Sequence, residues 1–226
     1  MKKVYGNVLL DDVNYEIRFS HLAKRGSIRV REEGIIVTIP KYSAIKTAKE
    51  FIFEHKDWIL KYLKKAEDVK KREPELFGNK VEVIINKHKV TEKYLNFTFK
   101  DYKLTVDCPE DTSLNNNELF ETWLKVYAKR VLPKRIAALA EINNLKFNRV
   151  VIKEHKSKWG SCSSKKNINL NYKLCKLDKI LIDYIIIHEL SHLVELNHSP
   201  KFWKVVEKMM PNYKLHENAI RKIKLI

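Results

Sequence analysis

The sequence predicts an α+β fold: a β-rich N-terminal region over residues 1–110, with one long helix at 41–71, packed on an α+β domain over residues 111–226. Three observations carry that expectation. Short runs of β-branched and aromatic residues, separated by turn residues, fill most of the first half. From residue 115 onward the apolar residues recur at helical spacing. The run 180–194 is apolar nearly all round, the mark of a helix buried in a core. A chain of 226 residues is long enough for one large domain or two modest ones.

Residues 4–10, 14–20, 27–31 and 35–39 read as strands of an antiparallel meander, with turns at Asp11-Asp12, Arg25-Gly26 and Glu33-Gly34. Residues 41–71 read as a single helix entered through Ser43, because Ala44, Ala48, Phe51, Ile52, Ile59 and Leu63 form one apolar stripe. Glu73-Pro74 and Gly78-Asn79 break the chain, and strands are expected at 80–85, 87–94, 97–100 and 103–107. Phe97, Phe99 and Tyr102 suit a core better than a base-stacking platform. Residues 115–144 are helical in pattern, with Pro133 as a kink or a fresh start. Strands follow at 149–154 and 168–171, a helix at 200–210 and a last helix over 211–226.

The buried run contains His188-Glu189-Leu190-Ser191-His192. A helix turns about 100° per residue, so side chains at i and i+4 share a face. His188 and His192 therefore point the same way and suit one metal, while Glu189 lies one residue round, within reach of a water on that metal. The plainer reading is two core histidines satisfied by hydrogen bonds. Buried His and Glu are costly unless paired or metal-bound. A third ligand is needed. His198 follows Asn197, where the helix can stop and another start at Ser199-Pro200. Glu195 competes, at i+7 from His188 if the helix continues. An imidazole suits zinc and favours His198. The histidine spacing is similar to that of metzincins, but Glu195 stands where that pattern has glycine, so a metzincin fold is not implied.

Lys+Arg 45 against Asp+Glu 28 gives a net charge of +17, which suits an acidic partner such as nucleic acid, although a lysine-rich solvated surface is the plainer and better reading. The first residues lack an apolar signal core and no apolar run reaches membrane-spanning length, so a cytoplasmic protein without a membrane partner is expected. Cys108, Cys162 and Cys175 are odd in number and widely spaced, which argues against a disulfide scaffold. Cys162 as a fourth ligand would close the metal site, so a structural thiol is the better reading. The sequence is silent on oligomeric state.

Five blocks together carry a family resemblance: Lys158-Trp159-Gly160-Ser161-Cys162-Ser163, then Ile168-Asn169-Leu170-Asn171, then 183–193 around the two histidines, then Asn197-His198-Ser199-Pro200-Lys201-Phe202-Trp203, then Met210-Pro211-Asn212-Tyr213. In order and spacing they resemble the YgjP-like zinc metallopeptidases, relatives of the SprT-like proteases that digest protein crosslinked to DNA. The resemblance implies a zincin-like metallopeptidase domain, one Zn2+ per chain on His188, His192 and His198, Glu189 as catalytic base, and the Trp-Gly-Ser-Cys run close to the site.

The expected function is thus a zinc-dependent metallopeptidase that cleaves peptide bonds with a water activated by Glu189, its charge pointing to nucleic-acid-associated protein as substrate. Tyr213 or a backbone N–H near Gly160 is expected as a second oxyanion donor. Ile168, Asn169, Leu170 and Asn171 are expected as the edge strand to which a peptide adds. Trp159 and Trp203 serve as core or cleft walls, and His155 and His216 as flanking groups. Two other classes fit less well. A metal-dependent phosphohydrolase of nucleotides would want a Gly-rich phosphate loop, which is absent. A nucleic-acid-binding protein with structural zinc leaves Glu189 unexplained.

Overall fold

The protein is described here by a computed structural model that covers residues 3–6, 13–31, 34–70, 73–88, 94–155 and 157–223. Its backbone contacts divide the chain into two compact units, Met1–Arg72 and Glu73–Ile226.

The first unit holds strands β1 (Lys3–Gly6), β2 (Tyr15–Ser20), β3 (Ser27–Arg31) and β4 (Gly34–Pro40), then helices α1 (Ile45–Glu54) and α2 (Lys56–Lys70). The sheet runs β1-β2-β4-β3 and is not the meander expected: β2 and β4 pair in parallel, with Ile17 opposite Val37. Tyr15, Ile17 and Phe19 on β2 and Ile35, Val37 and Ile39 on β4 are all buried. The two strands with full apolar faces therefore lie at the centre, and β3, carrying Arg29 and Arg31, takes an edge. Ala48, Ile52 and Ile59 of the helices complete this core. The single helix expected at 41–71 breaks at His55, whose N–H reaches back three residues to the Ile52 carbonyl while its ring Nδ1 donates to the Phe51 carbonyl at 2.9 Å. Ser43 is not the cap; Ala44 holds that place with no side-chain bond. Residues 7–12 and 32–33, which include the expected turn at Asp11-Asp12 and the first residue of that at Glu33-Gly34, lie outside the described residues.

The second unit contains β5 (Glu75–Leu76), β6 (Asn79–Lys80), β7 (Glu82–His88), β8 (Asn96–Lys100), β9 (Lys103–Pro109), α3 (Asn116–Ile142), β10 (Arg149–Lys153), β11 (Gly160–Cys162), β12 (Asn167–Asn171), a 3-10 turn (Tyr172–Lys176), α4 (Lys179–Ser191), α5 (Pro200–Met209) and α6 (Tyr213–Lys222). One core runs through it. Leu76, Leu104 and Val106 belong to the same buried cluster as Phe120, Leu170 and Ile186. The contacts therefore divide the chain after residue 72 and not near residue 110. The β5-β6 hairpin shows why. Phe77 and Gly78 form a two-residue turn with φ of 53° and 76°. Its N–H groups bond the carbonyls of Cys175 and Lys176 at 2.7 and 3.3 Å, beside the start of α4. A Cβ on Gly78 would fall 1.8 Å from an Asp178 carboxylate oxygen.

The long helix α3 opens with a reciprocal cap between Asn115 and Glu118 and runs unbroken through Pro133, which neither ends nor restarts it. Two three-stranded sheets have the orders β7-β9-β8 and β10-β12-β11. In the latter, β12 pairs in parallel with β10 and antiparallel with β11. The stretch Ile168–Asn171, expected at an edge, is thus internal, and the short β11 has the edge instead. Residues 89–93, part of another expected strand, lie outside the described residues. Among the described residues no helix is long and apolar enough to cross a membrane.

Candidate metal centre

Helix α4 has no Gly or Pro, and tertiary burial outweighs the modest helix propensity of its isoleucines. Leu181, Ile182, Ile185, Ile186, Ile187 and Leu190 are all buried. At its partly exposed flank Asp183 accepts two N–H groups from Arg135 of α3, at 2.6 and 2.5 Å. The helix stops at Ser191 with His192 as C-cap, and the N–H groups of Val194 and Glu195 turn back on the Ser191 carbonyl. A new helix then starts sharply at α5, where Ser199 caps the Phe202 N–H and Pro200 takes the first position. This reversal returns His198 to the two helical histidines.

The rings of His188, His192 and His198 have centroids 5.2, 5.0 and 4.8 Å apart. One ring nitrogen from each lies within 4.8 Å of the others, and the Nε2 atoms of His188 and His198 are 3.0 Å apart. Tetrahedral zinc with Zn–N of 2.0–2.1 Å would set two such nitrogens about 3.3 Å apart, so a small adjustment suffices. Phe202, fully buried, lies 5.0, 4.6 and 4.8 Å from the three rings and forms their floor. His192 Nδ1 donates to the Glu195 carbonyl at 3.2 Å, which leaves its Nε2 lone pair free. Because α4 has ended, Glu195 is not on the shared face. It contributes a carbonyl behind a histidine, and its carboxylate is not one of the converging groups.

Burial, then the neighbouring His192 and His198, holds His188 down at about 4, and burial lowers His192 as well. Both are therefore neutral, the ligand form, at neutral pH. Glu189 is 6% exposed, and its Oε2 has no hydrogen-bond partner among the described residues. Burial raises its carboxyl to about 8, against the opposing charge of Lys158. A buried orphan oxygen on the residue that follows His188 is a group that solvent held by a metal would satisfy. The Cys162 Sγ is not among the converging atoms, and burial followed by the Glu189 charge pushes its thiol up to about 11.

Gly160 sits directly against Glu189: a Cβ there would lie 2.7 Å from both Cγ and Oε1 of the glutamate. In the β11-β12 pair the Trp159 carbonyl and the Ser163 N–H bond to Asn171 and Asn167. By antiparallel alternation the N–H and C=O groups of Gly160 and Cys162 point away from β12, to the open edge. Asn171, fully buried, holds the approach to this edge: its amide donates to the carbonyls of His155 and Lys158 at 2.9 and 3.1 Å and accepts from the Lys173 N–H. Tyr213 is buried and stacks on Trp203 at 5.3 Å, and Trp203 in turn stands 5.9 and 6.0 Å from His188 and His198. Its packing is that of a wall residue, one ring behind the histidines. The His216 ring lies 6.4 Å from that of Tyr184. The floor role of Phe202 and the clamp role of Asn171 were missed from sequence. The third asparagine of the alternating Asn-Ile-Asn-Leu-Asn strand, at its end, was the available signal for the second.

The family model described as "YgjP-like, metallopeptidase domain" matches residues 24–222. Among solved structures, the crystal structure of the metallopeptidase zymogen of Pyrococcus abyssi abylysin matches at 28% identity, covering 40% of this chain and 91% of that one, with a TM-score of 0.37. A score of 0.37 is too low to define a shared arrangement of elements. No curated protein matches. The family model spans far more than half of the sequence and includes all three histidines and Glu189, so the chain belongs to the YgjP-like metallopeptidase family.

Proposed function

We propose that the chain is a zinc-dependent peptidase whose ligands are His188, His192 and His198 and whose catalytic base is Glu189. One observation carries the reading: three imidazole nitrogens converge, and Glu189, next in sequence to the ligand candidate His188 on the same buried helix, keeps a carboxylate oxygen with no hydrogen-bond partner among the described residues. Neutral nitrogen ligands suit zinc, and three of them leave a position for solvent. When bound, the ion supplies a Lewis acid and lowers the pKa of water.

The chain's own residues do the rest. Glu189 takes a proton at the carboxylate oxygen turned from Gly160 and hands it to the leaving amine. Its high proton affinity belongs to the metal-free protein; a cation nearby favours the carboxylate. The outward-facing backbone groups of the half-buried Gly160 and Cys162 offer a peptide one more strand to pair with, which aligns the scissile bond beside Glu189. The Gly160 N–H is the candidate second oxyanion donor. The packing of Tyr213 against Trp203 supports a wall role in its place.

The test is direct. Purified protein should hold one zinc per chain, His198→Ala should lose it, and Glu189→Gln should keep it while casein hydrolysis disappears. Surviving hydrolysis in Glu189→Gln overturns the assignment of the base.

A further inference from the structure

Glu154 and Asp178 bracket a stretch that contains β11 and β12 and no acidic residue, yet carries Lys156, Lys158, Lys165, Lys166, Lys173 and Lys176. Two of these are engaged: Lys173 pairs with Glu154 and Lys176 with Glu121. Lys156 lies outside the described residues. Lys158, Lys165 and Lys166 are exposed, and none makes an ion pair among the described residues. They stand at the two ends of β11. Lys158 is two residues before Gly160, near enough for its charge to act on both Glu189 and His155. Lys165 and Lys166 form the tip of the hairpin that joins β11 to β12, where the Lys166 N–H bonds the Ser163 carbonyl at 2.8 Å.

We propose that the substrate of this site is an acidic polypeptide segment, laid along the open edge of β11 with its carboxylates held by Lys158 at one end and by Lys165 and Lys166 at the other. The inference rests on the peptidase reading and adds the class of substrate. From residue 158 to residue 163, the last before the turn that carries Lys165 and Lys166, an extended chain spans about 17 Å, so a segment of roughly six or seven residues reaches both groups of lysines. The edge distinguishes a peptide from a nucleic acid. Its outward N–H and C=O groups alternate at strand spacing, which another backbone strand can match and a sugar-phosphate chain cannot.

The test uses the full zinc-loaded chain and three fluorogenic peptides with one common core, flanked by Glu, by Gln or by Lys. At low salt the Glu-flanked peptide should show kcat/KM about tenfold above the Gln-flanked one, mostly through KM, since a few exposed ion pairs together supply that much. The Lys-flanked peptide should be the poorest. The Lys165→Gln/Lys166→Gln double variant and added NaCl should each collapse the Glu-to-Gln ratio. Equal rates for the Glu and Gln peptides, or a ratio unchanged in the double variant, overturn the proposal. If the wild type cuts no peptide at all, the peptidase reading fails, and fluorescence anisotropy with Glu189→Gln protein still decides this one. Tighter binding of the Glu-flanked peptide, lost in the added double variant, upholds it, and equal binding overturns it. Oligo-dT binding that the double variant abolishes, with no discrimination between Glu and Gln peptides, assigns the lysines to nucleic acid and also overturns it.

Discussion

Gly160→Ala probes the close approach of β11 to Glu189. The new Cβ would lie 2.7 Å from Glu189 Cγ, 2.7 Å from Oε1 and 2.9 Å from Cδ. Carbon atoms settle at about 3.5–4.0 Å, so the glutamate or β11 must give way by about 0.8 Å. Neither move is free. Glu189 is 6% exposed on a helix buried nearly all round, and β11 is tied to β12. Overpacking of this kind costs roughly 1–3 kcal/mol of stability. The larger effect should be on catalysis, because a catalytic group displaced by about 1 Å loses on the order of 10²-fold in rate. The three atoms nearest the new Cβ all belong to Glu189 and none to a histidine, so zinc should remain. The expected result is kcat lowered by about two orders of magnitude at unchanged zinc content, with Tm lowered by several degrees. Ser161→Ala is the control. The Ser161 hydroxyl accepts from the Asn169 amide on the other face of the sheet, and kcat should hold. A Gly160→Ala protein with native kcat would show that Glu189 is not positioned by this contact, and would refute its role as base if zinc were also unchanged.

The alternative third ligand is separable from the first choice: His198→Ala should release zinc on dialysis, whereas Glu195→Ala should retain it, because only the Glu195 backbone carbonyl meets His192. In chelator, pH should separate Glu189→Gln from the native chain. The Glu189 carboxyl rises from 4.5 to about 8 on folding, so the stability it lends is complete below pH 4.5 and is lost as pH climbs to 8. Urea denaturation should therefore show the variant gaining on the native chain across that window, by a few kcal/mol at most, and a flat difference would contradict the burial argument. His188 is present in both proteins and cancels. Asn171→Ala leaves the His155 and Lys158 carbonyls and the Lys173 N–H without their partner, and should cost roughly 1–3 kcal/mol by denaturation while also lowering kcat through the loosened approach to Gly160. Asp183→Asn removes the charge that Arg135 grips on α4; with Arg135 about half exposed, the loss should stay near 1 kcal/mol, and zinc content should not change.

The local part of the site was legible in the sequence. His188 and His192 share a face by the geometry of one helix turn. The Asn-His-Ser-Pro run stops one helix and starts another within a few residues, which is how His198 returns to them. Both are short-range facts, fixed by backbone periodicity and capping chemistry. The apolar run that buries α4 was visible for the same reason.

Partner choice was not legible. β11 is three residues of Gly, Ser and Cys with little strand propensity, and it exists because β12 pairs with it; nothing in its own composition says so. The same holds for β12, read as an edge and found between two strands, and for β2 and β4, which pair in parallel because their apolar faces outrank that of β3. Placement of β5 through β9 in the core of the second unit depended on a turn at Phe77-Gly78 reaching the carbonyls of residues about a hundred positions away. The sequence by itself determined the kind of chemistry, through residue types at helical spacing. Tertiary structure decided which backbone edge faces Glu189 and which lysines flank it, because strand pairing and close approach are contests among distant segments settled only when the whole core is packed.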